Sequence, residues 1–234
     1  MRALVQPRRR SIGPLEAIEF PASNGSPAIV CLHGYGADAA DLARLAADTD
    51  LPRAARWLFP DAPIAFDLGP FAQGRAWFPI DEDAAARRRE EDAPWDLSAM
   101  RPPGMDEALD ALLKFIEAGD LPWENLIVGG FSQGAMLALE LALRSPASPL
   151  GLFILSGTLV DEETVKKLAP ARRGLKFFQS HGTGDPLLSH ENAERLNALL
   201  NREGLEGGLF SFPGGHSLPP EASLALEKYL QAIL

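Results

Sequence analysis

Short apolar runs alternate with longer amphipathic stretches along this chain, and the two periods predict different elements. Leu15 to Phe20, Ala28 to Leu32, Arg56 to Phe59, Asn125 to Gly129, Leu152 to Leu155, Lys176 to Gln179 and Leu209 to Phe212 read as strands. In Leu126-Ile127-Val128 and Phe153-Ile154-Leu155 the apolar positions are consecutive, as in parallel strands covered on both faces. Between them, Leu109, Leu112, Leu113 and Ile116 share one helix face, and Gly119 closes that helix. Ala193, Leu196 and Leu200 repeat the spacing before Gly204; Leu226, Tyr229, Leu230 and Ile233 repeat it near the C-terminus.

This alternation predicts one α/β domain over residues 1–234, with a mostly parallel sheet, right-handed crossovers and helices on both faces. Ligands of such sheets bind beyond the carboxyl ends of the strands, so the chemistry belongs in loops that follow strands. Residues 81–105 break the rhythm with a charged run, Trp95 and Pro102-Pro103-Gly104. A loop of that length inside a compact domain is often functional, and it predicts a flap at a pocket mouth.

Composition narrows the classes. Of 234 residues, 22 are Lys or Arg and 32 are Asp or Glu, a net charge of -10 that argues against nucleic acid and anionic membrane surfaces as partners. Two arginine triplets, Arg8 to Arg10 and Arg87 to Arg89, run against this balance and read as solvated surface. The one cysteine, Cys31, lies in an apolar run, which excludes an internal disulfide and predicts a buried, inert thiol. Gly13, Pro14, Glu16 and Glu19 interrupt any signal-peptide core, and no run reaches the length of a membrane span. The expectation is a soluble, cytoplasmic protein without stable membrane insertion; a homodimer is left open.

Gly130-Phe131-Ser132-Gln133-Gly134 fits G-x-S-x-G, and it stands between a strand run and a helix-forming run from Gln133 to Leu143. That context predicts a sharp turn with the Ser132 hydroxyl at its tip and a helix N-terminus beside it. A serine hydroxyl needs a neighbouring base. Of the four histidines, His33 follows an early strand, His181 ends a strand run and His190 begins a helix. Only His216, in Gly214-Gly215-His216, leaves room for an acid between itself and the serine in the order Ser, Asp, His. Asp185, directly after a strand, is that acid; Asp161, its rival, begins Asp161-Glu162-Glu163, which reads as a helix start. Two backbone N–H donors are then required for an oxyanion, the loss of either costing about 3 kcal/mol. Gln133 supplies one, and Tyr35 in the glycine-rich His33-Gly34-Tyr35-Gly36 supplies the other.

These blocks occur in one order together with Phe59-Pro60-Asp61-Ala62-Pro63, Trp77-Phe78, His181-Gly182 and Asp185-Pro186. Over residues 28–232 the set resembles the phospholipase/carboxylesterase family of the α/β-hydrolase fold, which includes acyl-protein thioesterases and small bacterial carboxylesterases. The resemblance places a triad on Ser132, Asp185 and His216 and oxyanion amides on Tyr35 and Gln133. It implies short- to medium-chain carboxylic esters as substrates, with lysophospholipids and acyl thioesters as further candidates. Two stretches depart from the family: residues 81–105 match poorly, and Leu187-Leu188-Ser189 stands where a valine-proline pair is usual after Asp-Pro.

Trp77, Phe78, Leu187, Leu188 and Leu218 adjoin the predicted loops as candidates to line an acyl pocket. The histidines show no spacing that would hold a metal, and with water as second substrate no cofactor is called for. An acyltransferase, a peptidase or a non-catalytic binding protein on the same fold stays open on sequence alone.

Overall fold

The computed structural model describes residues 6–69, 72–81 and 94–234. Among these residues, eight strands form one sheet: β1 (Arg8–Ile12), β2 (Leu15–Phe20), β3 (Ala28–Leu32), β4 (Arg56–Pro60), and, after the hairpin β5 (Ile64–Gly69) and β6 (Ala72–Ala76), β7 (Leu126–Phe131), β8 (Gly151–Leu155), β9 (Lys176–Gly182) and β10 (Glu206–Phe212). Their order is β1-β2-β4-β3-β7-β8-β9-β10, with β5 and β6 forming a separate pair. Every pairing from β4 to β10 is parallel, whereas β1–β2 and β2–β4 are antiparallel.

Strand composition follows this division. The central strands β3 and β8 are buried at every residue, while β2 alternates between buried and exposed positions. Successive residues serve opposite faces: Leu126 and Val128 join one apolar layer, Ile127 the other. The first layer packs on α2 (Met105–Ala118), α3 (Gln133–Arg144), α4 (Glu162–Leu168) and α5 (His190–Arg202). The second packs on α1 (Leu45–Asp48) and α6 (Pro220–Ile233) through Leu45, Leu226 and Leu230. Among the described residues, no helix is long and apolar enough to cross a membrane.

One sequence reading needs correction. The triplet Arg8 to Arg10 is an edge strand, not merely solvated surface. Arg8 and Arg10 on one face converge with Arg56 on buried Glu19, and Arg9 on the other face reaches buried Asp61. Burial alone would raise the Glu19 pKa, but hydrogen bonds from three guanidinium groups lower it to about 2. Residues 82–93 of the expected flap, with Arg87 to Arg89, lie outside the described residues. The part from residue 94 onward is tied down. Trp95 N–H donates to the Leu187 carbonyl, and Arg101 spans Glu140, Asp106 and Asp161. Glu140 is a buried residue of α3, so this network fastens the segment to the helix behind Ser132.

Candidate active site

Ser132 stands between β7 and α3 with φ 54° and ψ -118°. An L-residue seldom holds that conformation, which costs on the order of 1–3 kcal/mol and persists only where the surroundings impose it. Here the imposition is close passage of backbones. A Cβ on Gly134 would come within 2.3 Å of the Leu32 carbonyl oxygen and 2.5 Å of that of His33. The turn therefore packs directly on the strand that carries the His33–Gly36 loop, as the flanking glycines of the motif require. The N–H of Gln133 opens α3 and has no carbonyl within the helix to receive it.

Asp185 follows β9 and His216 follows β10, the two strands neighbouring in the sheet. Gly182 lets their loops meet, since a Cβ there would fall 2.3 Å from the Gly215 carbonyl oxygen. His216 Nε2 lies 2.8 Å from Ser132 Oγ, and His216 Nδ1 lies 2.7 Å from Asp185 Oδ2. The ionised carboxylate only accepts, so Nδ1 carries the proton and Nε2 faces the hydroxyl as an acceptor. The structure thus brings together the three residues that the sequence singled out, across gaps of 53 and 31 residues. Asp161, by contrast, caps α4 by accepting from the Thr164 N–H and pairs with Arg101.

The acid is held from every side. Its Oδ1 accepts from the N–H groups of Leu187 (2.9 Å) and Leu188 (3.0 Å). Its Oδ2 also meets His181 Nε2 at 3.2 Å, the same nitrogen donating to the Leu188 carbonyl at 2.8 Å. Burial alone would raise the Asp185 pKa, yet the hydrogen bonds from His181 and His216 outweigh it and hold the carboxyl well below the usual range. His181 was passed over as the base in favour of His216; its place in the His181-Gly182 block, four residues before the acid, was the signal that it supports Asp185.

A cleft of about 880 Å³ opens over Ser132, and its lining includes Tyr35, Gln133 and His216. Its apolar wall draws on Phe78, Trp95, Met100, Met136, Leu187 and Leu188. Of the five candidate lining residues, Phe78, Leu187 and Leu188 border this cleft. Trp77 and Leu218 do not. Leu218 lines a separate cleft beyond Phe131. Trp77 is buried and serves as a strut: its indole N–H donates to the His33 carbonyl at 2.9 Å. Its backbone N–H donates to Gln133 Oε1, while Gln133 Nε2 donates to the Phe78 carbonyl, both at 2.8 Å. The Gln133 carboxamide thereby holds the segment that carries Phe78 to the start of α3, a role the motif alone did not disclose. Burial pushes the His33 pKa down, and its neutral ring donates to the Gly34 carbonyl and accepts from the Ala62 N–H.

Trp77→Phe keeps an aromatic ring in the strut but leaves the His33 carbonyl without its indole donor. The expected loss is about 1–3 kcal/mol of stability, read as a lower urea midpoint at unchanged slope. A midpoint equal to wild type would show that this hydrogen bond carries no weight.

The chain is similar to known proteins in both sequence and fold. The family described as Phospholipase/Carboxylesterase matches residues 14–234. The acyl-protein thioesterase 1 of Eremothecium gossypii is 30% identical over 204 residues, covering 83% of this chain and 82% of that protein. Its namesake in Mycosarcoma maydis is 28% identical over 188 residues, 74% of each chain. The crystal structure of esterase PE8 superposes with a TM-score of 0.75 at 26% identity, covering 94% of this chain and 99% of that one. The architecture is accordingly that of the α/β-hydrolase fold.

Proposed function

This chain belongs to the phospholipase/carboxylesterase family of hydrolases, and on that premise we propose that it cleaves carboxylic esters through an acyl-enzyme on Ser132. One observation carries the reading: the relay from Ser132 Oγ through His216 to Asp185, with both links at hydrogen-bond length and the imidazole in the tautomer that accepts from the hydroxyl. In the first half-reaction Ser132 Oγ attacks the ester carbonyl carbon as its proton passes to His216 Nε2. The N–H groups of Tyr35 and Gln133 receive the oxyanion, and Asp185 stabilises the imidazolium without taking its proton. Collapse breaks the bond to the leaving oxygen or sulfur, which departs with the proton from His216. Water then repeats the sequence on the acyl-enzyme and releases the acid.

The apolar wall of the Ser132 cleft supports acyl chains of short to medium length as the preferred substrates. The thioesterase names of the relatives make acyl thioesters the next class to try, and lysophospholipids the third. A fluorophosphonate probe should label the wild type at Ser132, and a chain-length series of nitrophenyl esters should be hydrolysed with a single optimum. No label on Ser132 would overturn the reading. Added alcohols that divert most of the acyl group from water would turn it toward acyl transfer.

A further inference from the structure

Beyond Phe131 lies the second cleft, of about 370 Å³, lined by Leu42, Leu45, Leu218, Ser223 and the charged residues Asp41, Arg44 and Asp48. We propose that it is the subsite for the leaving group, and that it receives an alcohol or thiol with an apolar body and no negative charge. The inference rests on the acyl-enzyme reading and extends it from the reacting atoms to the shape of the whole ester.

Three observations converge on it. The two clefts share a wall, because Phe131 lines both, and the Phe131 ring stands 4.9 Å from the imidazole of His216. They also lie on opposite faces of the sheet edge. The Ser132 cleft is walled by Phe78, Leu97, Met136 and Leu188, all members of the first apolar layer. The second is walled by Leu42 and Leu45 of the other layer, against which Phe131 and Leu218 pack. An ester whose carbonyl sits at Ser132, on the edge itself, has two halves to place and a cleft on each side. Finally, the departing oxygen or sulfur must take its proton from His216 Nε2. Leu218 comes two residues after that base on the same loop, so the second cleft adjoins the proton donor.

Its chemistry sets the class. The volume falls near the lower end of the range of about 300–1,000 Å³ usual for small-molecule sites, which suits a compact leaving group. The Arg44 charge is opposed by Asp48 at 3.8 Å, leaving Asp41 to repel an anionic leaving group.

The test fills one cleft and reads two ratios. Ser223→Trp, in the lining of the second cleft, should lower kcat/KM for benzyl relative to methyl esters of one acyl chain by about tenfold, a change within reach of pocket sterics. The ratio between long and short acyl chains, measured on methyl esters, should not move. Met136→Trp, in the Ser132 cleft, should do the reverse. Should Ser223→Trp fail to fold, Leu218→Phe narrows the same wall and is read by the same ratios. A benzyl-to-methyl ratio equal to wild type in the cleft-filling variant, or a shift in the acyl ratio instead, overturns the subsite. Fluorophosphonate labelling of the wild type separates the two readings: a labelled enzyme with unmoved ratios defeats only the subsite, an unlabelled one the acyl-enzyme itself.

Discussion

Asp185→Asn is expected to lower kcat by about 10⁴, the cost of holding a catalytic imidazole in the wrong tautomer. The direction follows from the four contacts on the acid. The N–H groups of Leu187 and Leu188 both point at Oδ1, so an asparagine must keep its carbonyl oxygen there. Its amide nitrogen then takes the Oδ2 position, where it meets His216 Nδ1 and His181 Nε2. An amide nitrogen only donates. The His216 proton is driven to Nε2, and Ser132 Oγ faces a donor instead of a base. Steady-state turnover of a nitrophenyl ester measures the effect, and a loss smaller than tenfold would remove Asp185 from the mechanism.

The same carboxylate sets an acid limit to stability. Its pKa is lowered in the fold from an ordinary value of 3.8, so the unfolded chain binds the proton more readily. The stabilisation is complete above that ordinary value and is lost as pH falls below it toward the folded pKa. Wild type should therefore lose melting temperature on acidification below about pH 4 more steeply than Asp185→Asn, which has no proton to take up there.

Much of this site was legible because its chemistry is local in sequence. Gly130 to Gly134 announce a strand-to-helix turn, and the strand after which each loop falls brings Asp185 and His216 to one sheet edge. Strands with consecutive apolar residues, such as β8, were legible for the same reason: burial on both faces leaves no polar position to confuse the pattern. The strand β1 escaped because Arg8, Arg9 and Arg10 mask its period, their partners Glu19 and Asp61 lying elsewhere in the chain. The hairpin β5–β6 escaped although Ile64, Phe66 and Leu68 alternate along β5, because most residues of the pair are exposed and β6 shows no such period. Side-chain duties that depend on three-dimensional neighbours were out of reach. Trp77 looked like pocket lining because it is large, apolar and next to Phe78. It is a strut because the His33 carbonyl, from the loop after β3, and the Gln133 carboxamide, from the start of α3, happen to meet it.

Replacing Ser132 tests chemistry and strain together. Ser132→Ala should abolish turnover, with kcat falling by about 10⁶, and the loss should be common to every ester and thioester because one oxygen begins each reaction. Substrates that survive the change would point to a second site. Ser132→Gly should be equally inactive but differently stable. The backbone at φ 54° and ψ -118° resembles the first central position of a type II′ turn, which glycine occupies at ease and alanine does not. Alanine keeps the strain that the tip of the turn imposes, whereas glycine releases it. The glycine variant should therefore be more stable than the alanine variant by about 1 kcal/mol in urea unfolding, even after glycine's larger chain entropy is set against it. An alanine variant as stable as the glycine one would mean that the conformation holding the hydroxyl above the sheet costs the fold nothing, and that the close backbone contacts at Gly134 are not what keeps Ser132 in place.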